Sequence, residues 1–156
     1  MKKKWKELII ALAIPLAVGF IASRLTMDGF TAFESVNKPF LSPPAWLFPV
    51  AWTLLYLLMG YASFRVYDSV APCEKKRQAL VLYAIQLGFN FVWPLIFFNL
   101  EEYFFAFVWI IALWVLIFLT EKRFESIDKI AGYLLIPYLV WVAFAAYLNF
   151  GIWLLN

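Results

Sequence analysis

Five long apolar segments, separated by short charged connectors, limit what this chain can fold into. Of its 156 residues, 65% are hydrophobic and only 15% are charged, whereas soluble domains carry about 25% charged residues. Such a chain cannot present a polar surface to water, and the pattern predicts an all-α integral membrane protein. One domain, residues 1–156, is expected to form a five-transmembrane-helix bundle. The predicted helices are residues 7–25, 43–67, 79–98, 103–120 and 130–155, and the long Phe- and Pro-rich loop 26–42 is predicted to be an ordered lid.

The positions of the basic residues predict how the bundle is oriented. Eleven of the 13 Lys and Arg residues lie in the N-terminal segment and in the connectors after the second and fourth helices. The other two are Arg24 and Lys38, which flank the lid. By the positive-inside rule we expect a bacterial-type plasma membrane, the N-terminus in the cytoplasm, and the lid and C-terminus outside. The basic N-terminus with its apolar run is interpreted as a retained first helix, because no convincing cleavage site follows it.

The residue types exclude several chemistries. There is no histidine and only one cysteine, Cys73, which rules out His-ligated haem, histidine-bearing zinc sites, Ser-His-Asp triads and an intrachain disulfide. No metal site is therefore predicted. Basic residues lie only in short connectors, so we expect no nucleic-acid partner. The predicted membrane interior holds no acid–base pair or nucleophile, so no catalytic residue is certain.

The stretch from Lys38 to Gly60 combines a proline-stiffened loop with the second helix. Ser42 is a candidate cap for that helix, and Pro43 and Pro44 suit its first turn. Pro49 is expected one turn further in, where it would remove a backbone hydrogen bond and bend the helix inside the membrane.

Polar side chains inside an apolar bundle are the first candidates for function. Gln86 and Asn90 lie four residues apart and share one face of the third helix. That face and comparable faces of the second and fifth helices carry aromatic and small residues: Trp93, Phe97, Trp52, Tyr56, Met59, Trp141, Ala145, Leu148 and Asn149. Together they favour a pocket for a flat, largely apolar ligand with polar edges. The alternatives are helix–helix packing and interfacial belts, and the belt interpretation is preferred for Trp5, Trp46 and Trp153.

Three motifs resemble one family, that of the TspO/translocator proteins, also known as tryptophan-rich sensory proteins and related to the peripheral benzodiazepine receptor. The first motif is K-P-F-L-S-P-P-A-W-L-F-P-V-A-W-T-L-L-Y-x-x-M-G, from residue 38 to residue 60. The second is Y-x-x-Q-L-x-F-N-x-x-W from residue 83, and the third is P-Y-L-x-W-x-x-F-A-x-x-L-N from residue 137. The resemblance covers essentially the whole chain.

The resemblance implies a cavity between the helices, below the lid, that binds porphyrins such as protoporphyrin IX and benzodiazepine-type ligands. No covalent cofactor is implied. A role in tetrapyrrole handling or stress sensing would follow. The matching ligand-binding positions are Phe33, Pro44, Phe48, Trp52, Tyr56, Gln86, Asn90, Trp93, Phe97, Trp141, Ala145 and Leu148.

Two alternatives to simple binding remain open. Some bacterial relatives are thought to degrade porphyrin in light and oxygen, and Trp52 and Trp141 match the tryptophans implicated in that reaction. Transport of porphyrin or sterol is the other alternative, although the chain lacks the internal repeat that transporters often show.

A second face of the third helix carries Ala84 and Gly88, four residues apart. Such a pair of small residues lets another helix approach closely. The resemblance implies a homodimer through this face, and the alternative is a contact within the monomer.

The chain departs from the family pattern at three places. Ala32 and Phe33 stand where the family usually carries Trp-Tyr, so polar contacts from that part of the lid are in doubt. Pro94 follows Trp93 where serine is common, which predicts a kink. Phe150 and Leu154 replace the tyrosine and basic residue of the animal sterol motif, so sterol recognition there is not supported.

Overall fold

A computed structural model describes residues 2–156, which form seven α-helices and one π-helical turn and no β-strand. The helices are α1 (Lys2–Leu25), α2 (Met27–Phe33), α3 (Leu47–Tyr67), α4 (Cys73–Pro94), α5 (Tyr103–Ile127), α6 (Lys129–Leu134) and α7 (Ile136–Leu155), with the π-helical turn at Leu95–Asn99. Five helical segments are long and apolar enough to cross a membrane, namely α1, α3, α4 with the π-turn, α5, and α6 with α7. The protein is an integral multi-pass membrane protein built as a five-helix bundle.

Three helices extend beyond their predicted ends. α1 begins at Lys2 rather than residue 7, α4 begins at Cys73 rather than residue 79, and α5 continues to Ile127 rather than ending at residue 120. The predictions followed the apolar run, which marks the part of a helix that lies in lipid. Charged residues beyond that run are good helix formers, so the helices continue into water.

The start of α3 differs from the prediction. α3 begins at Leu47, so Pro43 and Pro44 precede the helix, and the hydroxyl of Ser42 donates to the carbonyl of Pro39 instead of capping α3. A proline disfavours helical geometry in the residue before it, which explains the later start. Pro49 consequently lies in the first turn, where its missing N–H removes no hydrogen bond, and the predicted bend inside the membrane was wrong.

Two prolines coincide with changes of helical geometry. The predicted fifth helix is divided at Leu135, just before Pro137, because proline has no N–H and its ring clashes with the carbonyl four residues earlier. In the third span, α-helical bonding ends at Pro94 and five residues form the π-turn. The change of hydrogen bonding follows Pro94 directly, and the kink expected there stays a prediction.

The spans pack as α1 against α3, α4 against α5, and α5 against α7. Gly60 on α3 permits the first contact, because a Cβ there would lie 2.7 Å from the carbonyl oxygen of Ala11 on α1. Gly19 on α1 likewise makes room for the ring of Tyr56. Large innermost side chains of α3, α5 and α7 include Met59, Ile110, Leu113, Tyr138 and Val142.

The segment between α1 and α3 covers one end of the bundle and is called the lid below (residues 26–46). Its helix α2 rests on the π-turn, where Gly29 lies against the backbone of Phe98. Its second half is fastened to the end of α7: Asn37 and Asn156 exchange hydrogen bonds of 3.2 and 2.8 Å between backbone and side-chain amides. The hydroxyl of Tyr147 donates to the carbonyl of Phe40 at 2.7 Å.

Candidate functional site

A chain of hydrogen bonds crosses the interior of the bundle. The Tyr56 hydroxyl donates to Asn90 Oδ1 at 2.9 Å, and Asn90 Nδ2 donates to the Tyr138 hydroxyl at 2.6 Å. Tyr138 in turn donates to Gln86 Oε1 at 2.8 Å. All four side chains are buried, so α3, α4 and α7 are joined by polar groups that are shielded from the surroundings of the bundle.

Two donors at this site have no partner in the structure. One is Nε2 of Gln86, which stands at the end of the hydrogen-bond chain, and the other is the indole Nε1 of Trp141. By contrast, the indoles of Trp109 and Trp114 donate to the backbone carbonyls of Phe89 and Leu139 at 2.9 and 3.0 Å. A buried donor without an acceptor costs about 1–3 kcal/mol, so such groups call for an acceptor.

Aromatic rings surround this polar chain. The ring of Trp52 stacks on Tyr56 with centroids 5.6 Å apart and meets Tyr138 edge-on at 6.3 Å. Phe48, one turn closer to the lid, meets Trp141 edge-on at 6.0 Å. These five rings form two contacting groups, Phe48 with Trp141 and Trp52 with Tyr56 and Tyr138, and together they are called the aromatic column below.

Tyr138 is a residue of the polar core that the sequence analysis did not predict as part of the site. Its side chain is only 1% exposed and occupies the space between α3 and α4, where an open pocket was expected. The sequence does contain a pattern that could have identified Tyr138. It lies three residues before Trp141 and therefore shares its helix face.

Trp93 and Phe97 lie on the lid side of the polar chain and take part in packing. Their rings stack with centroids 5.0 Å apart. The indole of Trp93 donates to Asn149 Oδ1 at 3.1 Å, and Asn149 Nδ2 donates to the carbonyl of Tyr103 at 2.8 Å. Asn149 therefore joins α4, α5 and α7 by hydrogen bonds. Asn and Gln side chains commonly join helices in this way in membrane proteins.

An open cavity of about 220 Å³ lies directly beneath the lid. Three predicted binding residues line it: Phe33 from α2, Phe48 from α3 and Leu148 from α7. Lys38, which was considered with Arg24 as a contact for porphyrin propionates, also lines it, and the other lining residues were not predicted: Phe30, Glu34, Ser42, Pro43, Ala45 and Ile152. The structure thus divides the predicted set into this cavity and the polar-aromatic core below it, with Phe48 belonging to both.

The remaining predicted positions fall in different places. Pro44 is exposed on the lid beside two lining residues, and Ala145 is buried on the face of α7 that also carries Trp141. Ala84 and Gly88 point away from the bundle, and a Cβ on Gly88 would meet no atom within 4 Å. The sequence analysis left open a contact of this face with another helix of the same chain. The structure shows no such contact at Gly88.

Cationic and metal-binding groups are sparse around the cavity. The Lys38 ammonium lies 4.8 Å from the ring centroid of Phe33 and donates to the carbonyl of Glu34 at 3.1 Å. Nowhere in residues 2–156 do three His, Cys, Asp or Glu side chains gather closely enough to hold a metal ion. The site offers a guest aromatic surface, amide and indole donors, the ammonium group of Lys38 and the carboxylate of Glu34.

Comparison with known proteins gives a consistent result. The model of the TspO/MBR family matches residues 11–154. A "Tryptophan-rich protein TspO" from Chlorobaculum tepidum is 39% identical over 100% of this chain and 99% of its own length. A "Tryptophan-rich sensory protein" from Cereibacter sphaeroides is 40% identical over 80% of this chain and 76% of its own length. The "Translocator protein" of Ovis aries is 32% identical over 98% of this chain and 92% of its own length.

Proposed function

This chain belongs to the TspO/MBR family, and from that premise we propose that it is a receptor-like membrane protein for tetrapyrroles of the protoporphyrin IX type. Flat benzodiazepine-type ligands would use the same place. The proposed site is the cavity beneath the lid together with the aromatic column below it. Its role would be tetrapyrrole handling or stress sensing.

The observation that carries the proposal is the pairing of aromatic surface with unpaired donors. Gln86 Nε2 and Trp141 Nε1 are buried without an acceptor, while the indoles of Trp52 and Trp141 are only partly buried. A flat ring system would stack on the indoles, and an acceptor at its edge would satisfy the donors. Purely structural packing explains the column but leaves both donors unsatisfied.

Ligand size implies that the lid moves. Pockets for drug-sized ligands have volumes of about 300–1,000 Å³, and the cavity of about 220 Å³ is smaller. A porphyrin would therefore have to displace the lid or rotate rings of the column. The lid is joined to α7 by a few exposed hydrogen bonds at Asn37, Phe40 and Asn156. Such contacts open at small cost compared with core packing.

One cationic group, Lys38, is available at the cavity for an anionic ligand edge, and the acidic Glu34 lines the cavity as well. Lys38 lines the cavity, and its ammonium is held by backbone carbonyls and a ring, without a carboxylate partner among the described residues. We expect it to meet a propionate. Arg24, the other basic residue near the lid, is not among the residues that line the cavity.

Phe48→Ala tests the site most directly, because Phe48 lines the cavity and contacts Trp141. Removing its ring should weaken protoporphyrin IX binding about tenfold, which corresponds to about 1.4 kcal/mol. The measurement is quenching of tryptophan fluorescence during a porphyrin titration of the purified protein. The matched control is Phe20→Ala, whose ring on α1 is 66% exposed to lipid and should leave the affinity unchanged. Equal affinities for wild type and both variants would contradict the proposed site.

The orientation expected from the basic residues belongs to the same proposal. Ion pairs of Lys4 with Asp68 and of Arg65 with Asp128 lie at the end of the bundle opposite the lid. We place this end in the cytoplasm of a bacterial-type plasma membrane, with the lid outside. Cys73, the single cysteine, is exposed at that end and serves as a reporter. A membrane-impermeant maleimide should label it in broken cells and not in intact ones; labelling in intact cells would reverse the orientation.

The exposed small residues of α4 support a homodimer. Ala84 and Gly88 face outwards with open space beside them, so a second copy has room to approach. Gly88→Leu should convert a dimer to a monomer, as measured by chemical crosslinking in membranes, without lowering the thermal midpoint of the monomer. Gly60→Leu, which inserts the same side chain between α1 and α3, should instead lower that midpoint. If Gly88→Leu leaves crosslinking unchanged, the dimer does not use this face.

A further inference from the structure

A second concave feature lies at the opposite end of the bundle from the lid. It is a groove of about 280 Å³ between α4 and α5, lined by Arg77, Gln78, Val81, Leu82, Ile85 and Arg123. From this groove we infer that the protein holds an anionic phospholipid, with the phosphate headgroup at the two arginines and an acyl chain along the apolar residues. The site is separate from the proposed tetrapyrrole site and does not depend on it.

The groove is divided into a charged end and an apolar end. Arg77 and Gln78 lie just before the apolar run of α4, and Arg123 lies just after that of α5. Both arginines therefore stand at the same membrane boundary, which the 3.0 Å hydrogen bond from Arg123 Nη1 to Gln78 Oε1 confirms. Val81 and Ile85, which are 47% and 46% exposed, continue from there into the lipid. A phospholipid has the same arrangement, a charged headgroup followed by apolar acyl chains.

The side chains that line the groove are cationic at its charged end, because they include Arg77 and Arg123 and no carboxylate. Arg77 forms a two-point contact with Glu74 at 2.8 and 3.1 Å. Arg123 bonds to the neutral amide of Gln78 and has no carboxylate within 4.0 Å among residues 2–156. The nearby Lys122 takes Glu121 and Glu125 as its partners, so these carboxylates are already engaged.

The geometry of the guanidinium groups favours phosphate over other anions. Arg123 uses Nη1 for Gln78, which leaves Nε and Nη2 free, and Arg77 keeps Nη1 free. Planar guanidinium groups bind phosphate oxygens in pairs. The Arg77–Glu74 pair is exposed, with side chains 68% and 62% accessible, so it resists displacement by a phosphate only weakly.

The occupant is a phospholipid rather than a soluble anion because the apolar end of the groove points into the bilayer. Basic pockets between transmembrane helices on the cytoplasmic side are known to hold anionic lipid headgroups. We have placed this end of the bundle on the cytoplasmic side. A soluble phosphate compound would use only the arginines and leave Val81, Leu82 and Ile85 without a role.

The test is a native mass spectrometry titration of the purified full chain with phosphatidylglycerol, and with phosphatidylcholine of identical acyl chains. Phosphatidylglycerol should bind more tightly. The double variant Arg77→Gln, Arg123→Gln should weaken its binding by about 30-fold, at about fivefold for each basic residue, and leave phosphatidylcholine binding unchanged. The matched control is Lys2→Gln, Lys3→Gln, which removes the same charge from α1 and should change neither affinity.

Three results would overturn the inference. The first is equal loss of phosphatidylglycerol in the control and the arginine variant, which would indicate general surface charge. The second is unchanged binding in the arginine variant. The third is displacement of the lipid by glycerol 3-phosphate at equal concentration, which would identify a soluble anion site. Thermal midpoints and protoporphyrin IX affinity, measured on the same samples, should match wild type and show that the arginine variant is folded.

Discussion

Replacing Trp52 and Trp141 together with alanine should reduce protoporphyrin IX affinity by roughly 1,000-fold. Each indole is an aromatic anchor, and truncating such an anchor costs about 2 kcal/mol or more. Trp52 supplies a face that stacks on Tyr56, while Trp141 supplies both an edge next to Phe48 and the unpaired indole donor. Because the two rings do not touch the same neighbour in the column, their losses should largely add.

The matched control is the double variant Trp5→Ala, Trp153→Ala. These rings are 63% and 39% exposed and belong to the lipid-facing surface, so their loss should leave the affinity within about twofold. Each double variant keeps six of the eight tryptophans, which makes the fluorescence signals comparable. An unchanged affinity in the Trp52, Trp141 variant at an unchanged thermal midpoint would remove the column from the site and leave only the cavity under the lid.

The same variant separates binding from light-driven porphyrin degradation. Under illumination in air, a protein that takes part in the chemistry should accelerate the loss of the porphyrin absorbance bands, and the double variant should not. Bands that disappear equally fast with both proteins would mean that the reaction belongs to the porphyrin in solution. The transport alternative has no feature in the described residues that favours it over binding.

The five spans were predictable because apolar segments of this length can cross a bilayer only as helices. Backbone groups in lipid must bond within their own segment, so each apolar run becomes a helix. The ends were less predictable because hydropathy reports where lipid ends and not where the helix ends. α5 continues seven residues past its predicted end at residue 120 and reaches Ile127 for this reason.

The candidate site was predictable in its residue types and not in its shape. Spacing along one helix places Gln86 and Asn90 on a common face, which the structure reproduces. How far α7 lies from α4 depends on packing among all the spans, and that distance decides whether Tyr138 fills the space or leaves it open. The lid contacts between Asn37 and Asn156 join residues 119 positions apart, and no local pattern in the sequence encodes such a pairing.

Asn90→Leu should lower the free energy of unfolding by about 2 kcal/mol, the middle of the usual cost of a buried group left unsatisfied. Leucine has the same branching and the same number of side-chain heavy atoms as asparagine, so the substitution leaves no cavity and removes the hydrogen bonds. The Tyr56 hydroxyl loses its acceptor, and Tyr138 loses one of its two partners but still donates to Gln86. Unfolding by added sodium dodecyl sulfate in mixed micelles measures the change. The control is Asn99→Leu, whose single bond to the Leu25 carbonyl is exposed at the lid end and should matter little.

A double-mutant cycle with Tyr56→Phe identifies the source of this loss. If the cost of Asn90→Leu arises from the stranded hydroxyl of Tyr56, removing that hydroxyl as well should recover part of it. The double variant should then be more stable than the sum of the single variants predicts, by about 1 kcal/mol. Hydrogen bonds between membrane helices average about 0.6 kcal/mol, so the expected coupling is above this average. A coupling energy near zero would mean that these hydrogen-bonded side chains set the spacing of α3, α4 and α7 without stabilising them. Its value to the protein would then be to hold Gln86 Nε2 ready for an acceptor, which is the role that ligand binding requires.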